Sequence, residues 1–117
     1  MNTTPVTKWF GELERIWLEK DILALKEIMA EEFEYYEDPY LPPIKTWQDL
    51  ELAWQEVTEQ DIQKLEITVL IDGQATGSGM YHFIYCDSTG VQHESKGSYY
   101  LKLNSVGKAV EFRQWWT

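Results

Sequence analysis

Cysteine is nearly absent from this chain. Cys86 stands alone, so no internal disulfide can form. Basic residues are scarce as well: 10 Lys and Arg face 20 Asp and Glu, for a formal charge of −10. Such a surface repels phosphate backbones and anionic headgroups, so neither nucleic acid nor a membrane surface is an expected partner. No apolar run approaches 18 residues and no basic-then-apolar leader is present, so neither a transmembrane helix nor a secretory signal is expected. These absences together fit a cytoplasmic protein. No repeat, low-complexity tract or linker divides the 117 residues, which suit one domain over 1–117. Of the four prolines, three crowd into one short loop, Pro39, Pro42 and Pro43.

Aromatic residues are abundant: six Trp, seven Tyr and four Phe. They carry large apolar area, and Tyr and Trp add a polar tip, which suits a core, a lined pocket or an interface. The stretch Phe33–Pro43 concentrates them. It reads as a short aromatic strand that the prolines stop, because each fixes φ and removes a backbone donor. Alternation puts Tyr36 and Asp38 on one side and Phe33, Tyr35 and Glu37 on the other. Asp38 then stands at the rim where strand becomes loop.

The remaining chain builds around that rim. Thr4 and Pro5 suit a helix start, followed by an apolar stripe of Val6, Trp9, Phe10, Leu13, Ile16 and Trp17. Asp21 is placed to cap a second, short helix. Thr46 to Asp49 resembles a capping box and opens a third helix with Leu50, Trp54 and Val57 on one side. After Gln60 the period changes from 3.6 to 2. Strands are expected over 63–71, 77–86, 91–103 and 108–116, with turns at Asp72-Gly73, Asp87–Gly90 and Asn104–Gly107. The order ααβαββββ predicts an α+β domain with helices on one face of an antiparallel sheet.

Simple turns at Asp87–Gly90 and Asn104–Gly107 would set His82 opposite Ser95 and Tyr99 opposite Phe112. One face would then hold His82, His93, Ser95, Tyr99, Phe112, Gln114 and Trp116, apolar with a few polar groups, as a small-molecule pocket is. The opposite face would hold Tyr81, Phe83, Tyr85, Tyr100 and Trp115 among charges. That many aromatics on an outer face predicts a second copy over it, making a homodimer.

The order of elements, the Glu37-Asp38-Pro39 motif after an aromatic strand and the ending from Leu101 to Trp116 resemble the NTF2-like superfamily, in particular its SnoaL-like small proteins. The resemblance covers nearly the whole chain. It implies a curved antiparallel sheet wrapped around helices into a cone with a deep pocket, often dimeric through the convex face. Members include ketosteroid isomerase, polyketide cyclases, scytalone dehydratase, limonene epoxide hydrolase and proteins that only bind others. In ketosteroid isomerase the catalytic base is an Asp in a similar Glu-Asp-Pro motif, which Asp38 matches. Its oxyanion hole pairs a Tyr on the first helix with a protonated Asp on the penultimate strand. The second of these falls on Tyr99; the first falls near Leu13, which donates no hydrogen bond. Trp116 matches an aromatic pocket position. The Asp-Arg-Asp arrangement of the hydrolase has no match.

Two readings follow. In one, the protein takes a small hydrophobic carbonyl- or hydroxyl-bearing ligand and works as a cofactor-free isomerase, cyclase or dehydratase. Asp38 and His82 would transfer a proton and Tyr99 would orient the oxygen, with Tyr36, Trp54, Phe112, Gln114 and Trp116 around the ligand. In the other it is a non-catalytic dimeric module that binds a ligand or a protein. There Asp38 accepts backbone N–H bonds in its own turn, His82 and Tyr99 are core residues, and the pocket holds a ligand or is filled by side chains. No cofactor is expected. No metal is expected either, because His82 and His93 lack the spacing and carboxylates of a metal motif. Glu12, Glu14, Glu31, Glu32, Glu56, Glu59 and Asp61 read as solvated surface.

Overall fold

The computed structural model describes residues 4–116. Helix α1 (Pro5–Glu19) starts as expected: the Thr4 hydroxyl accepts from the Thr7 N–H at 3.3 Å and Pro5 occupies the first turn. It ends at Lys20, whose left-handed φ of 57° lets its N–H reach the carbonyls of Ile16 and Trp17. Helix α2 (Ile22–Ile28) follows. Asp21 makes no side-chain capping bond to it, contrary to expectation. Strand β1 (Met29–Tyr36) starts directly at its end. Helix α3 (Trp47–Trp54) is capped by the Thr46 hydroxyl, which accepts from the Asp49 N–H at 3.2 Å, and continues into a 3₁₀ turn (Gln55–Glu59). The remaining strands are β2 (Asp61–Asp72), β3 (Thr76–Cys86), β4 (Gln92–Leu103) and β5 (Ala109–Trp116).

The α+β class holds, but the sheet is mixed rather than antiparallel. Its order is β1-β5-β4-β3-β2, and β1 runs parallel to β5. The connection through α3 carries the chain across to the far edge of the sheet. Three successive reversals then bring β5 back beside β1 in the same direction. The proline-rich segment turns round as well: Tyr35 and Ile44 exchange backbone hydrogen bonds of 2.9 and 2.8 Å, pinning the loop over the end of β1.

The core lies between α1 and the inner face of the sheet. Val6, Trp9, Phe10, Leu13 and Ile16 are all buried, as the stripe predicts. The helix comes close enough that a Cβ on Gly77 would lie 2.5 Å from a Val6 methyl and 2.4 Å from the Ile71 carbonyl oxygen. Phe10 and Tyr99 stack at 6.0 Å, Tyr99 and Phe112 meet at 4.9 Å, and Tyr35 stacks on Phe112 at 4.8 Å. This half of the cone is filled by side chains. Glu14, read above as solvated, accepts a hydrogen bond from the Ile67 N–H at 3.0 Å. Bulges in β2 between Ile62 and Lys64 and between Val69 and Ile71 interrupt its alternation, so Ile71 is exposed instead of facing the core.

The faces of β3 are the reverse of those expected. The loop between β3 and β4 holds one residue more than the simple turn assumed. Gly90 takes φ 87°, its N–H bonds to the Asp87 carbonyl, and Val91 is added before pairing begins at Cys86 with Gln92. A glycine in this conformation after a turn is the usual bulge of a three-residue hairpin loop. The one-residue offset moves every β3 side chain to the other face. Tyr81, Phe83 and Tyr85 therefore point inward, and Met80, His82, Ile84 and Cys86 point outward. The Asn104–Gly107 turn adds a residue in the same way, pairing Leu103 with Ala109. A second irregularity next to Lys102 adds another, and the two offsets cancel. Tyr99, Leu101, Phe112, Gln114 and Trp116 accordingly lie on the inner side, as expected.

Candidate functional site

A half-open cavity of about 180 Å³ remains at the wide end of the cone. Six rings form most of its wall: Trp17 from α1, Tyr35 from β1, Trp54 from α3, and Tyr81, Phe83 and Tyr85 from β3. They pack in series, with Trp17 4.7 Å from Phe83 and 5.3 Å from Trp54, and Phe83 stacked on Tyr85 at 4.8 Å. The polar groups between them are held by one another. The Trp54 indole N–H donates to the Tyr35 hydroxyl at 3.2 Å, and the Trp17 indole N–H to Gln60 Oε1 at 3.3 Å. Gln114 donates to the Tyr81 hydroxyl at 3.3 Å, which also shares a 2.9 Å bond with Ser95.

Two carboxylates line this cavity, Glu37 and Glu56. Glu37 continues the alternation of Phe33 and Tyr35 just past the end of β1 and stands exposed at the mouth of the cavity. Desolvation at the aromatic wall, and then the charge of Glu56, raise the Glu37 pKa above its ordinary value. Tyr35 is buried, and burial pushes its hydroxyl well above the usual tyrosine range against the opposing effect of the Trp54 bond. The Tyr85 hydroxyl is also raised, by burial and by the charges of Glu56 and Asp87. Among the described residues no acceptor takes the Tyr35 O–H proton, so that proton is available to a ligand in the cavity. No Lys, Arg or His among the described residues lines the wall.

The residues predicted to form the site divide into four groups. Trp54 and Gln114 line the cavity. Asp38 and Trp116 lie just outside it, in an open recess shared with Glu37, Ser95 and Gln114. There Asp38 Oδ1 accepts from the Tyr40 N–H at 2.9 Å, the turn bond of the alternative reading. Tyr99 and Phe112 are buried in the filled half, and the Tyr99 hydroxyl has no hydrogen-bond partner. Neither lines the cavity.

His82 and Tyr36 are on the outer face. His82 Nε2 lies 2.5 Å from Glu94 Oε2, and its ring borders a separate hollow outside the sheet with Glu66 and Lys96. The displaced β3 register moved it there, away from any shared site with Asp38. Tyr36 faces outward because Phe33 and Tyr35 take the inward positions. Its ring sits 4.0 Å under the Arg113 guanidinium. His93 is on the inner side but bonds Asp87 at 2.8 Å, so the two histidines have separate carboxylate partners on opposite faces. The outer aromatic surface expected to dimerise loses Tyr81, Phe83 and Tyr85 to the interior and keeps Tyr100 and Trp115.

The cavity carboxylates that the sequence reading did not single out for the site are Glu37 and Glu56. The signal for Glu37 was present. It shares a face with Phe33 and Tyr35, whose large rings mark the side of the chain that turns toward the helices.

No protein-family model matches the sequence, and no curated protein matches it. Solved structures do. A computationally designed 17-OHP binder is 15% identical with a TM-score of 0.81, over 99% of this chain and 93% of that one. The Δ5-3-ketosteroid isomerase from Mycobacterium sp. is 13% identical with a TM-score of 0.82, over 98% and 95%. An NTF2-like protein from Burkholderia thailandensis is 18% identical with a TM-score of 0.75, over 99% and 92%. These likenesses extend over the full helical layer and all five strands, so the chain has the NTF2-like fold.

Proposed function

We propose that the protein binds a small ligand bearing a carbonyl or hydroxyl in the aromatic cavity, and that Glu37 exchanges a proton with it. The observation that carries this reading is the juxtaposition in one cavity of a carboxyl with a raised pKa and a buried tyrosine hydroxyl free to donate. A carboxylate of raised pKa is a stronger base than an ordinary one, and a hydroxyl donor fixed on a buried ring stabilises an oxygen that gains charge. Glu37 would remove a proton from the carbon beside the carbonyl. The C–H electrons would become an enol double bond, and the oxygen would take the developing charge against the Tyr35 O–H. Return of the proton to a different carbon completes an isomerisation without a cofactor. Neighbours of the same fold include a ketosteroid isomerase and a designed 17-OHP binder, which supports a ligand-binding use of the cone.

Size restricts the ligand. An apolar cavity of about 150 Å³ holds one benzene ring, whereas drug-sized pockets run to roughly 300–1,000 Å³. The space here, about 180 Å³, suits a single ring or an equivalent chain. The test uses a panel of cyclic enones and phenols. Binding is expected to shift the indole N–H signals of Trp17 and Trp54 in the NMR spectrum. Exchange of the enone α-hydrogens with deuterated solvent is expected to be accelerated, and the Glu37→Gln variant to lose it. An absence of shifts at millimolar probe would overturn the reading. Exchange unchanged in Glu37→Gln would overturn the role of Glu37.

The outer face, with Met80 and Trp115 exposed beside Tyr100, is the surface we propose a second copy covers. Light scattering that returns a dimer mass supports this, and a monomer at high concentration removes it.

A further inference from the structure

The cavity wall has a charge asymmetry that a neutral ligand does not use. It combines six aromatic rings with two carboxylates and, among the described residues, no cationic side chain. We infer that the ligand carries an alkylated ammonium group, quaternary or protonated tertiary, held between the rings and the Glu37 and Glu56 carboxylates. This rests on the reading of the cavity as a ligand site and specifies the chemistry of what enters it.

The physical case has three parts. Ring faces carry negative quadrupole charge, and a cation within about 6 Å of several of them is attracted without a specific hydrogen bond. An alkylated ammonium also has apolar methyl groups, so it loses little hydration on entering such a wall, in contrast to a bare ammonium. Secondly, the two carboxylates act on one small space. Glu37, Glu56, Tyr35 and Tyr85 all line it, and the charge of Glu56 is felt at the other three. A cation there would relieve the repulsion between the two acids. Thirdly, the whole chain has a charge of −10, so its field draws cations and turns anions away. The volume of about 180 Å³ accepts a trimethylammonium head with a short chain attached. The Tyr35 O–H and the Tyr81–Ser95–Gln114 group would then meet the oxygen of that chain. The ligand class is an amine-bearing small ketone or alcohol.

Calorimetric titration of the full chain with choline and with 3,3-dimethyl-1-butanol, its uncharged carbon isostere, isolates the charge. Choline is expected to bind at least about tenfold more tightly than the isostere, because only charge distinguishes them. Glu56→Gln is expected to weaken choline by about tenfold and leave the isostere unchanged. Glu56 is exposed at the rim, so this variant keeps the fold. If the isostere binds as tightly as choline, or Glu56→Gln leaves choline affinity unaltered, the inference is overturned. If cyclic enones bind and choline does not, the inference falls while the ligand-site reading stands. If no probe of any class binds, both fall.

Discussion

Trp54 donates its indole N–H to the Tyr35 hydroxyl at 3.2 Å, inside a wall where both side chains are buried. The bond occupies Tyr35 as an acceptor and leaves its own proton for a ligand. Tyr35→Phe removes the hydroxyl and strands a buried indole donor. An unsatisfied buried donor costs about 1–3 kcal/mol. A lower denaturant midpoint by that amount is expected, together with loss of carbonyl ligand binding. Trp54→Phe should keep more of the binding than Tyr35→Phe, because it removes the positioning residue and not the donor. Equal binding by Tyr35→Phe and the native protein would exclude Tyr35 from the site.

Tyr99 gives the opposite result. Its hydroxyl is buried with no partner, against Phe10, Tyr81 and Phe112. Tyr99→Phe removes a desolvated group that returns no hydrogen bond. We expect a gain in stability of about 1 kcal/mol by chemical denaturation, with ligand affinity unchanged. A loss of affinity would restore Tyr99 as the oxygen-orienting residue.

Two carboxyls move stability with pH in opposite directions. The Glu37 pKa is raised in the folded state, so its contribution is full below the unfolded value and declines as pH rises through the folded one. Asp87 is held well below the usual range by the Thr89 hydroxyl first, then by His93 and the Val91 N–H. Its contribution is present above the unfolded value and declines as pH falls through the folded one. Thermal unfolding followed from acid to neutral pH should therefore show Glu37→Gln gaining relative to the native chain as pH rises. Asp87→Asn should lose relative to it over the same range. A Glu37→Gln difference independent of pH would mean the carboxyl is not desolvated.

His82 was a candidate on sequence and is bonded to Glu94 on the outer face. His82→Ala should leave ligand affinity and α-hydrogen exchange as they are. Loss of exchange would show that the outer face takes part in the chemistry.

The reason His82 was misplaced shows which parts of the site the sequence makes legible. The elements and their order follow from apolar periodicity, and α1 buries five of the six residues of its stripe, with Trp17 partly buried at the cavity. Faces depend on counting residues through turns. One glycine at φ 87° and one extra residue at Val91 are enough to turn His82 outward and Tyr81, Phe83 and Tyr85 inward. The same uncertainty existed at Asn104–Gly107, where a second irregularity cancelled it and Gln114 stayed in place. At β1, the motif match drew attention to Asp38, while alternation with Phe33 and Tyr35 pointed to its neighbour. Parallel pairing of β1 with β5 is a long-range relation that no local pattern records.

The most direct measurement follows the carboxyl carbons of Glu37 and Asp38 by NMR across an acid-to-neutral titration, with and without a binding probe. The account predicts that Glu37 titrates above the ordinary glutamate value of about 4.3, and that its midpoint moves when the probe is added. A Glu37 midpoint at the ordinary value and indifferent to every probe, beside an Asp38 midpoint that moves, would contradict it and return the role of base to Asp38.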